Sequence, residues 1–409
     1  MLSVYSLQVN TSFSTTLNQL ILFGHNEKSS ILLIAFIHAL IFSFLLLRNG
    51  LNADKTHSKW LAAFIFLGAL YISPFMLGYA GWYSVKSYRE ILFFVPCQQL
   101  LLLGPVFYFY VKSLLNSDLK LHQKDLLHFF PAILYLIYSL IVFIVDKLIL
   151  DEFYFYADGK DMDLDLWYQI VGLVSMLFYL FLSLRHYLNY RKLSLEEVSY
   201  ADEIAFTWIQ HFIMAFGLIL VLRVLFFILN PEWGEFGRKY WYYLCFSILL
   251  MYISISGYTH TIKTTLSLDT KFLGQIEPVQ QELVVAPKEG TEEEWELDSW
   301  KHKITDLFEA EEVHKSPNLT LTDIAQRLDT NRNVISKVIN QVFDLNFNDF
   351  VNEKRAQAVI EKLQKGEHTQ HTLLSIALDC GFNSKTTFNR AFKKHTGTTP
   401  KQFIAQHQL

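Results

Sequence analysis

The chain has 409 residues, of which 52% are apolar, 16% aromatic and only 18% charged, with a formal net charge of −4. That length exceeds one ordinary domain, and soluble proteins carry charge on about 25% of positions, so a single water-soluble globule is excluded. The average hides a split: residues 29–257 are dominated by Leu, Ile, Phe and Tyr, whereas residues 258–409 have an ordinary polar mix. The net charge therefore sums over two parts with different solvents.

The amino terminus lacks a basic stretch, and its first long apolar run begins near Ser29 with no small-residue cleavage site before it. No removable signal peptide is expected. A bilayer core about 30 Å thick needs about 20 mostly apolar residues per helix. Seven runs qualify: Ser29–Leu47, Trp60–Gly78, Ile91–Tyr110, His128–Val145, Leu166–Leu184, Ile209–Leu229 and Tyr240–Gly257. The loops after the first, third and fifth carry Arg48, Lys55 and Lys59; Lys112, Lys120 and Lys124; and Arg185, Arg191 and Lys192. The alternate loops hold Lys86 and Arg89, Lys147 and Lys160, and Arg238 and Lys239. Lys and Arg favour the cytoplasmic side. The expected location is the inner (cytoplasmic) membrane, multi-pass, with the amino terminus outside and the carboxyl terminus inside.

Polar residues interrupt the runs at His38, Gln98, Gln99, Gln169 and Arg223. An ionisable group at bilayer depth costs about 2.5–3.5 kcal/mol on insertion scales. His38, Gln98, Gln99 and Arg223 are therefore candidates for a signal pocket within the bundle. The other reading is structural: hydrogen bonds between helices for the glutamines and His38, and snorkelling or pairing for Arg223. Pro96 and Pro105 are expected to kink the third helix. Cys97, Cys245 and Cys380 have no metal-ligand or redox spacing and read as small buried apolar residues.

Beyond the seventh run, Thr261–Leu273 could extend the helix, and Gln275–Thr291, with Pro278, Pro287 and Gly290, reads as a flexible tether. The acids Glu292–Glu294 read as a solvated helix start. From Ser299 to Leu409 there are 15 Lys+Arg against 12 Asp+Glu, a mild bias of +3 towards phosphate.

Two segments in this last part share a pattern. Ile324-Ala325 corresponds to Ile376-Ala377, 52 residues later. Ala325 and Ala377 allow two helices to cross closely; Leu328, Ile335, Val338 and Ile339 would build one core, and Ile376, Phe382, Phe388 and Phe392 a second. Gly381 suits a sharp turn, where Asp329 stands in the first segment. Thr322 and Ser375 are expected to cap helix starts. In a helix-turn-helix the second helix lies in the major groove. Its outward residues here are Arg332, Asn333, Ser336 and Lys337, and then Lys385, Thr386, Asn389 and Arg390, types that can read base edges. Lys393 and Lys394 follow as candidate phosphate contacts. A helix from Asn346 to about Lys365, ended by Gly366, would fix the separation of the two units, and adjacent major grooves on one face lie about 34 Å apart.

The two Ile-Ala units, the segment Asp349-Phe350…Arg355 and the string Gly381-Phe382…Phe388…Arg390…Phe392-Lys393…Gly397…Thr399-Pro400 closely resemble the AraC/XylS family of transcriptional regulators. The resemblance covers Trp300 to Gln408. It implies a seven-helix DNA-binding domain that activates or represses transcription, with base-reading or phosphate roles at the outward positions just named. Phe403-Ile404 departs from the family's aromatic-then-Arg pattern, and the amino-terminal part does not resemble the family's soluble sugar-binding domain.

The expected fold is all-α: a seven-helix transmembrane bundle (1–257), a cytoplasmic linker (258–298) and a DNA-binding domain with two helix-turn-helix units (299–409). The expected function is a membrane-bound one-component transcriptional regulator. Its partners are double-stranded DNA, the lipid bilayer, RNA polymerase, a small-molecule or envelope signal, and a second copy of the chain. The alternatives are a membrane anchor, or a transporter or enzyme with a DNA-binding tail. No paired intramembrane carboxylates, HExxH, GxSxG or phosphate loop occurs, so no enzyme activity, metal or cofactor is expected.

Overall fold

The computed structural model describes residues 23–116, 119, 121–157, 159, 161–201, 207–229, 237–266 and 292–408. Among these the chain forms fifteen α-helices and no strand. The described residues group into two units, those of Met1–Tyr187 with Thr207–Gln275, and those of Leu188–Phe206 with Ile276–Leu409.

The first unit contains α1 (Glu27–Asn52), α2 (Thr56–Tyr79), α3 (Lys86–Phe94), α4 (Leu100–Leu115), α5 (Phe130–Phe143), most of α6 (Leu166–Glu197), α7 (Thr207–Val224) and α8 (Lys239–Leu266). α2 is the central helix: it packs against α1, α4 and α8. Its Phe64 sits among Phe107, Phe212 and Phe216, and its Tyr71 and Phe75 lie against Tyr243. The outer helices reverse the usual arrangement. α1 buries Ala35, Ala39 and Ser43 but exposes Ile34, Ile41 and Phe44; α6 exposes Val174, Phe178 and Phe181. Small residues inward and large apolar residues outward suit packing in lipid, where helices approach through small side chains. α4 and α6 do this reciprocally. A Cβ on Gly104 of α4 would meet Tyr179 at 2.7 Å, and one on Gly172 of α6 would meet Leu100 at 2.6 Å.

Six helical stretches are long and apolar enough to cross a membrane, against the seven expected. The third run is the exception. α3 ends at Phe94, Val95 is extended (φ −95°, ψ 111°), and the helix resumes only at Leu100. Pro96 is the cause, since proline lacks an N–H and disfavours helix at the residue before it. The break goes further than the expected kink. It leaves α4 with 16 residues, about 24 Å at 1.5 Å per residue. Pro105 lies inside α4. The backbone groups freed by the break find other partners: the Gln98 N–H donates to Asp163 Oδ2 (2.9 Å) and the Leu100 N–H to the Tyr168 hydroxyl (3.2 Å). α8 continues to Leu266, into the expected extension Thr261–Leu273, and residues 267–273 and the tether 275–291 lie outside the described residues.

The second unit contains α9 (Glu292–Ala310), α10 (Leu321–Arg327), α11 (Arg332–Val342), α12 (Phe347–Gln364), α13 (Leu373–Asp379), α14 (Lys385–Thr396) and α15 (Pro400–His407). The acids Glu292–Glu294 open α9, so this helix starts before Ser299. α12 joins two cores. Its Phe347, Phe350 and Val351 lie in the first with Ile304, Phe308, Ile324, Ala325, Ile335, Val338 and Ile339. Its Ala356, Val359, Ile360 and Leu363 lie in the second with Ile376, Ala377, Phe382, Phe388 and Phe392. Cys380 is fully buried in that second core. Phe403, where the family pattern is broken, still fills this core, its ring 5.5 Å from Phe392 edge to face.

Gly381 has φ +92°, and a Cβ there would sit 2.3 Å from the His314 carbonyl oxygen and 2.9 Å from Lys315 Cα. Both neighbours are backbone and cannot swing aside. Gly381→Ala should destabilise the second unit by about 2–4 kcal/mol, combining left-handed strain with overpacking. Gly397→Ala, with φ +75° and nothing within 4 Å, should cost only the strain, about 1–2 kcal/mol. Amide hydrogen exchange across α13 and α14 reads the difference.

Candidate nucleic-acid interface

Each half of the second unit is a short helix, a tight turn and a longer helix. Local hydrogen bonds fix their starts. Thr320 caps α10 in a capping box with Asp323, and Thr372 caps α13 by accepting from the Ser375 N–H. The caps thus lie two and three residues before the expected Thr322 and Ser375. Asn331 caps α11 through the Asn333 N–H, and Ser384 caps α14 through the Thr387 N–H. The turns sit at the expected positions: Asp329 has φ +49° and Gly381 φ +92°. Both are left-handed, which glycine adopts without cost and aspartate tolerates.

The longer helices are two-faced. α11 buries Ile335, Val338 and Ile339, and α14 buries Thr387, Phe388 and Phe392. Asn333 and Lys337 are exposed on α11, with Arg332 and Ser336 half-buried; Lys385, Thr386, Asn389, Arg390, Lys393 and Lys394 are exposed on α14. Several already have partners. Arg332 Nη1 is 3.6 Å from Glu197 Oε1, Lys394 Nζ is 2.8 Å from Asp349 Oδ2, and Ser336 Oγ accepts from Asn340 Nδ2 at 3.4 Å. Partial burial and the nearby Arg191 lower the pKa of Arg390. Burial raises the pKa of Glu197, against the opposing pull of Arg332.

Leu188–Ala201, in which the sequence marks only Arg191 and Lys192 as loop cations, packs into the second unit. Val198 and Thr320 form an isolated antiparallel bridge, and the Ser199 N–H donates to the Leu319 carbonyl at 3.0 Å. Arg355, 1% exposed, donates from Nε to His314 O (2.8 Å), and from Nη2 to Ser199 Oγ (3.0 Å), Ser316 O (2.7 Å) and Pro317 O (3.2 Å). Its Nη1 donates to Ser199 O (3.4 Å) and Asn352 Oδ1 (3.3 Å).

Residues 324–406 match a family model described as a helix-turn-helix domain. An uncharacterized HTH-type transcriptional regulator of Staphylococcus aureus (strain COL) is 29% identical over 101 residues, 25% of this chain and 13% of that protein. The corresponding protein of S. aureus (strain MRSA252) gives the same figures. The probable transcription factor PqrA of Proteus vulgaris is 26% identical over 92 residues, 22% of this chain and 73% of that protein. The match thus spans only 13% of the length of the S. aureus relatives. No solved structure matches the chain. The carboxy-terminal part of the chain therefore carries a helix-turn-helix domain similar to those of transcriptional regulators.

Of the expected signal-pocket residues, Gln98 and Arg223 meet through Gln169, while Gln99 and His38 make other contacts. Gln98 Nε2 donates to the Tyr243 hydroxyl (2.8 Å), and Gln98 Oε1 accepts from Gln169 Nε2 (3.0 Å). Arg223 donates to Gln169 Oε1 (2.6 Å) and to the Tyr71 hydroxyl (2.9 Å). Gln98, Gln169 and Arg223 are thus one buried network, and Arg223 pairs rather than snorkels. Gln99 turns back to the Pro96 carbonyl. His38 lies apart, stacked on Phe42 with Ser254 Oγ at 3.4 Å.

The network continues into the loop between α5 and α6. Asp163 Oδ1 accepts from the Tyr135 hydroxyl (2.5 Å), and Asp161 Oδ1 accepts from the Asp163 N–H (3.0 Å). Both carboxyls are buried. Burial, reinforced at Asp161 by the charge of Asp163, raises both pKa values above the ordinary carboxylate range. A carboxyl with a raised folded-state pKa binds its proton more tightly when folded. The loop is thus most stable below the unfolded pKa of about 4 and loses stability as pH climbs through the folded values. Hydrogen exchange at residues 161–165 should quicken as pH rises from 5 to 8, after correction for intrinsic rates, and Asp161→Asn should flatten that dependence.

Proposed function

We propose that the chain is a membrane-bound one-component transcriptional regulator. It binds specific double-stranded DNA through α11 and α14 in adjacent major grooves, under control of a signal received at its apolar helices. One observation carries the reading: two helices bury apolar faces in two cores that share α12, and each turns a row of basic, amide and hydroxyl side chains outward. In this reading Arg332, Asn333, Ser336, Lys337, Lys385, Thr386, Asn389 and Arg390 meet base edges or phosphates, and Lys393 and Lys394 hold the backbone. RNA polymerase and a second copy of the chain are the expected protein partners. The six membrane-length helices and their outward apolar faces support residence in the cytoplasmic membrane with the DNA-binding part inside.

The internal pairing of Gln98, Gln169 and Arg223 favours a second reading, in which the bundle is a static anchor. The two readings differ in what a bundle variant does. For a sensor, Gln98→Leu changes transcription at bound promoters while DNA occupancy or its signal dependence shifts; for an anchor, both stay as they were.

The test is genome-wide mapping of DNA bound by the full chain, followed by affinity measurements on the enriched duplexes. Arg390→Ala should weaken binding by about 10-fold or more, corresponding to about 1–3 kcal/mol per bidentate base contact, and relax the preferred sequence at one position. Lys393→Ala should weaken all duplexes about equally and reduce the slope of log affinity against log salt by about 1. A full chain that enriches no sequence would end the reading.

A further inference from the structure

Residues 188–201 are the end of α6 and the stretch that follows it towards α7, yet they belong with the second unit. Their seat there is specific. Val198, Ser199 and Ala201 are buried, with Val198 and Ser199 at 0% exposure. The main chain of Val198–Ser199 bonds to Leu319–Thr320, immediately before α10, and the Val198 carbonyl accepts from Asn348 Nδ2 at 3.4 Å. Ser199 also supplies two of the acceptors that satisfy Arg355, through its carbonyl and its hydroxyl. A surface lying loosely against a helix would not satisfy a buried guanidinium in this way.

The same segment reaches the first turn of α11. Glu197 places a carboxylate oxygen 3.6 Å from Arg332 Nη1, on the first turn of α11. A carboxylate offers a guanidinium the acceptors it would otherwise find on guanine or phosphate, and Glu196 and Glu197 together repel a phosphate backbone.

We propose that residues 188–201 are an intrachain occupant of the DNA-binding face: seated through Val198 and Ser199, the segment holds Glu197 against Arg332, and the seated state and the duplex-bound state exclude each other. The proposal rests on the DNA-binding reading given above. Its magnitude follows from population arithmetic. If the segment is seated in 90–99% of molecules, apparent DNA affinity is reduced about 10- to 100-fold relative to the released form. Because the segment continues from α6 and leads to α7, a change in its seating changes DNA affinity.

The experiment locks and releases the segment in the full chain, held in bilayer discs. An antiparallel bridge pair has Cα atoms about 4.5–5.5 Å apart, within disulfide range, so Val198→Cys with Thr320→Cys can be joined by mild oxidation. The reduced form of the same protein controls for any folding defect. The probe is the duplex most enriched in genomic mapping of the unaltered chain. The oxidised protein should bind it at least tenfold more weakly than after reduction, and Glu197→Gln in the unaltered chain should bind it about threefold more tightly. Failure of the pair to cross-link, equal binding by the oxidised and reduced forms, or tighter binding by the oxidised form would overturn the proposal; the last outcome would make the segment part of the DNA-binding surface. If neither the unaltered nor the reduced chain prefers any duplex, the DNA-binding reading itself fails and the proposal falls with it.

Discussion

A guanidinium taken fully out of water needs an acceptor for each of its five N–H groups, or its burial is ruinous. Arg355 meets that demand with carbonyls from His314, Ser316 and Pro317, the amide oxygen of Asn352, and both oxygens of Ser199. A Cβ on Gly381 would lie 3.0 Å from its Nε, so the turn of the second helix-turn-helix also packs on this side chain. One residue of α12 therefore gathers the loop ahead of the first helix-turn-helix, the turn of the second, and a stretch more than 150 positions away in the sequence. The two cores supply the apolar burial; this cation determines how the surrounding loops must lie.

The first unit obeys the same rule. Proline opens the helix at Pro96, and the exposed main-chain groups are matched by Asp163 and Tyr168. Arg223 is matched by Gln169 and Tyr71. A buried backbone group left unmatched costs about as much as a lost hydrogen bond, so irregular backbone and polar side chains occur here together, each satisfying the other.

Much of the second unit can be read directly from the chain because its signals are local. The alternation of apolar and polar residues along α11 and α14, the left-handed turn at Gly381 and the long helix from Asn346 all express contacts within a few residues. The helix starts were misplaced because Thr322 and Ser375 are hydroxyl-bearing residues near the right place, and only backbone geometry distinguishes them from Thr320 and Thr372. The third apolar run looked continuous because hydropathy does not register a missing N–H. Glu197, Val198 and Ser199 look like ordinary loop residues, and Asp161 and Asp163 like solvated acids. Their roles come from partners distant in sequence, such as Arg332, Arg355 and Tyr135, which no local pattern reveals.

α12 contributes residues to both cores along one uninterrupted helix of 18 residues. A stiff strut of this kind does more than set a distance. With about 10.5 base pairs per helical turn, inserting a single base pair between the two half-sites would rotate one groove by about 34° about the duplex axis. The strut has no joint with which to follow that rotation. On the proposed DNA-binding reading, an operator would keep rotational phase as strictly as sequence, and half-sites that drift by one base would lose affinity even with every contacted base intact.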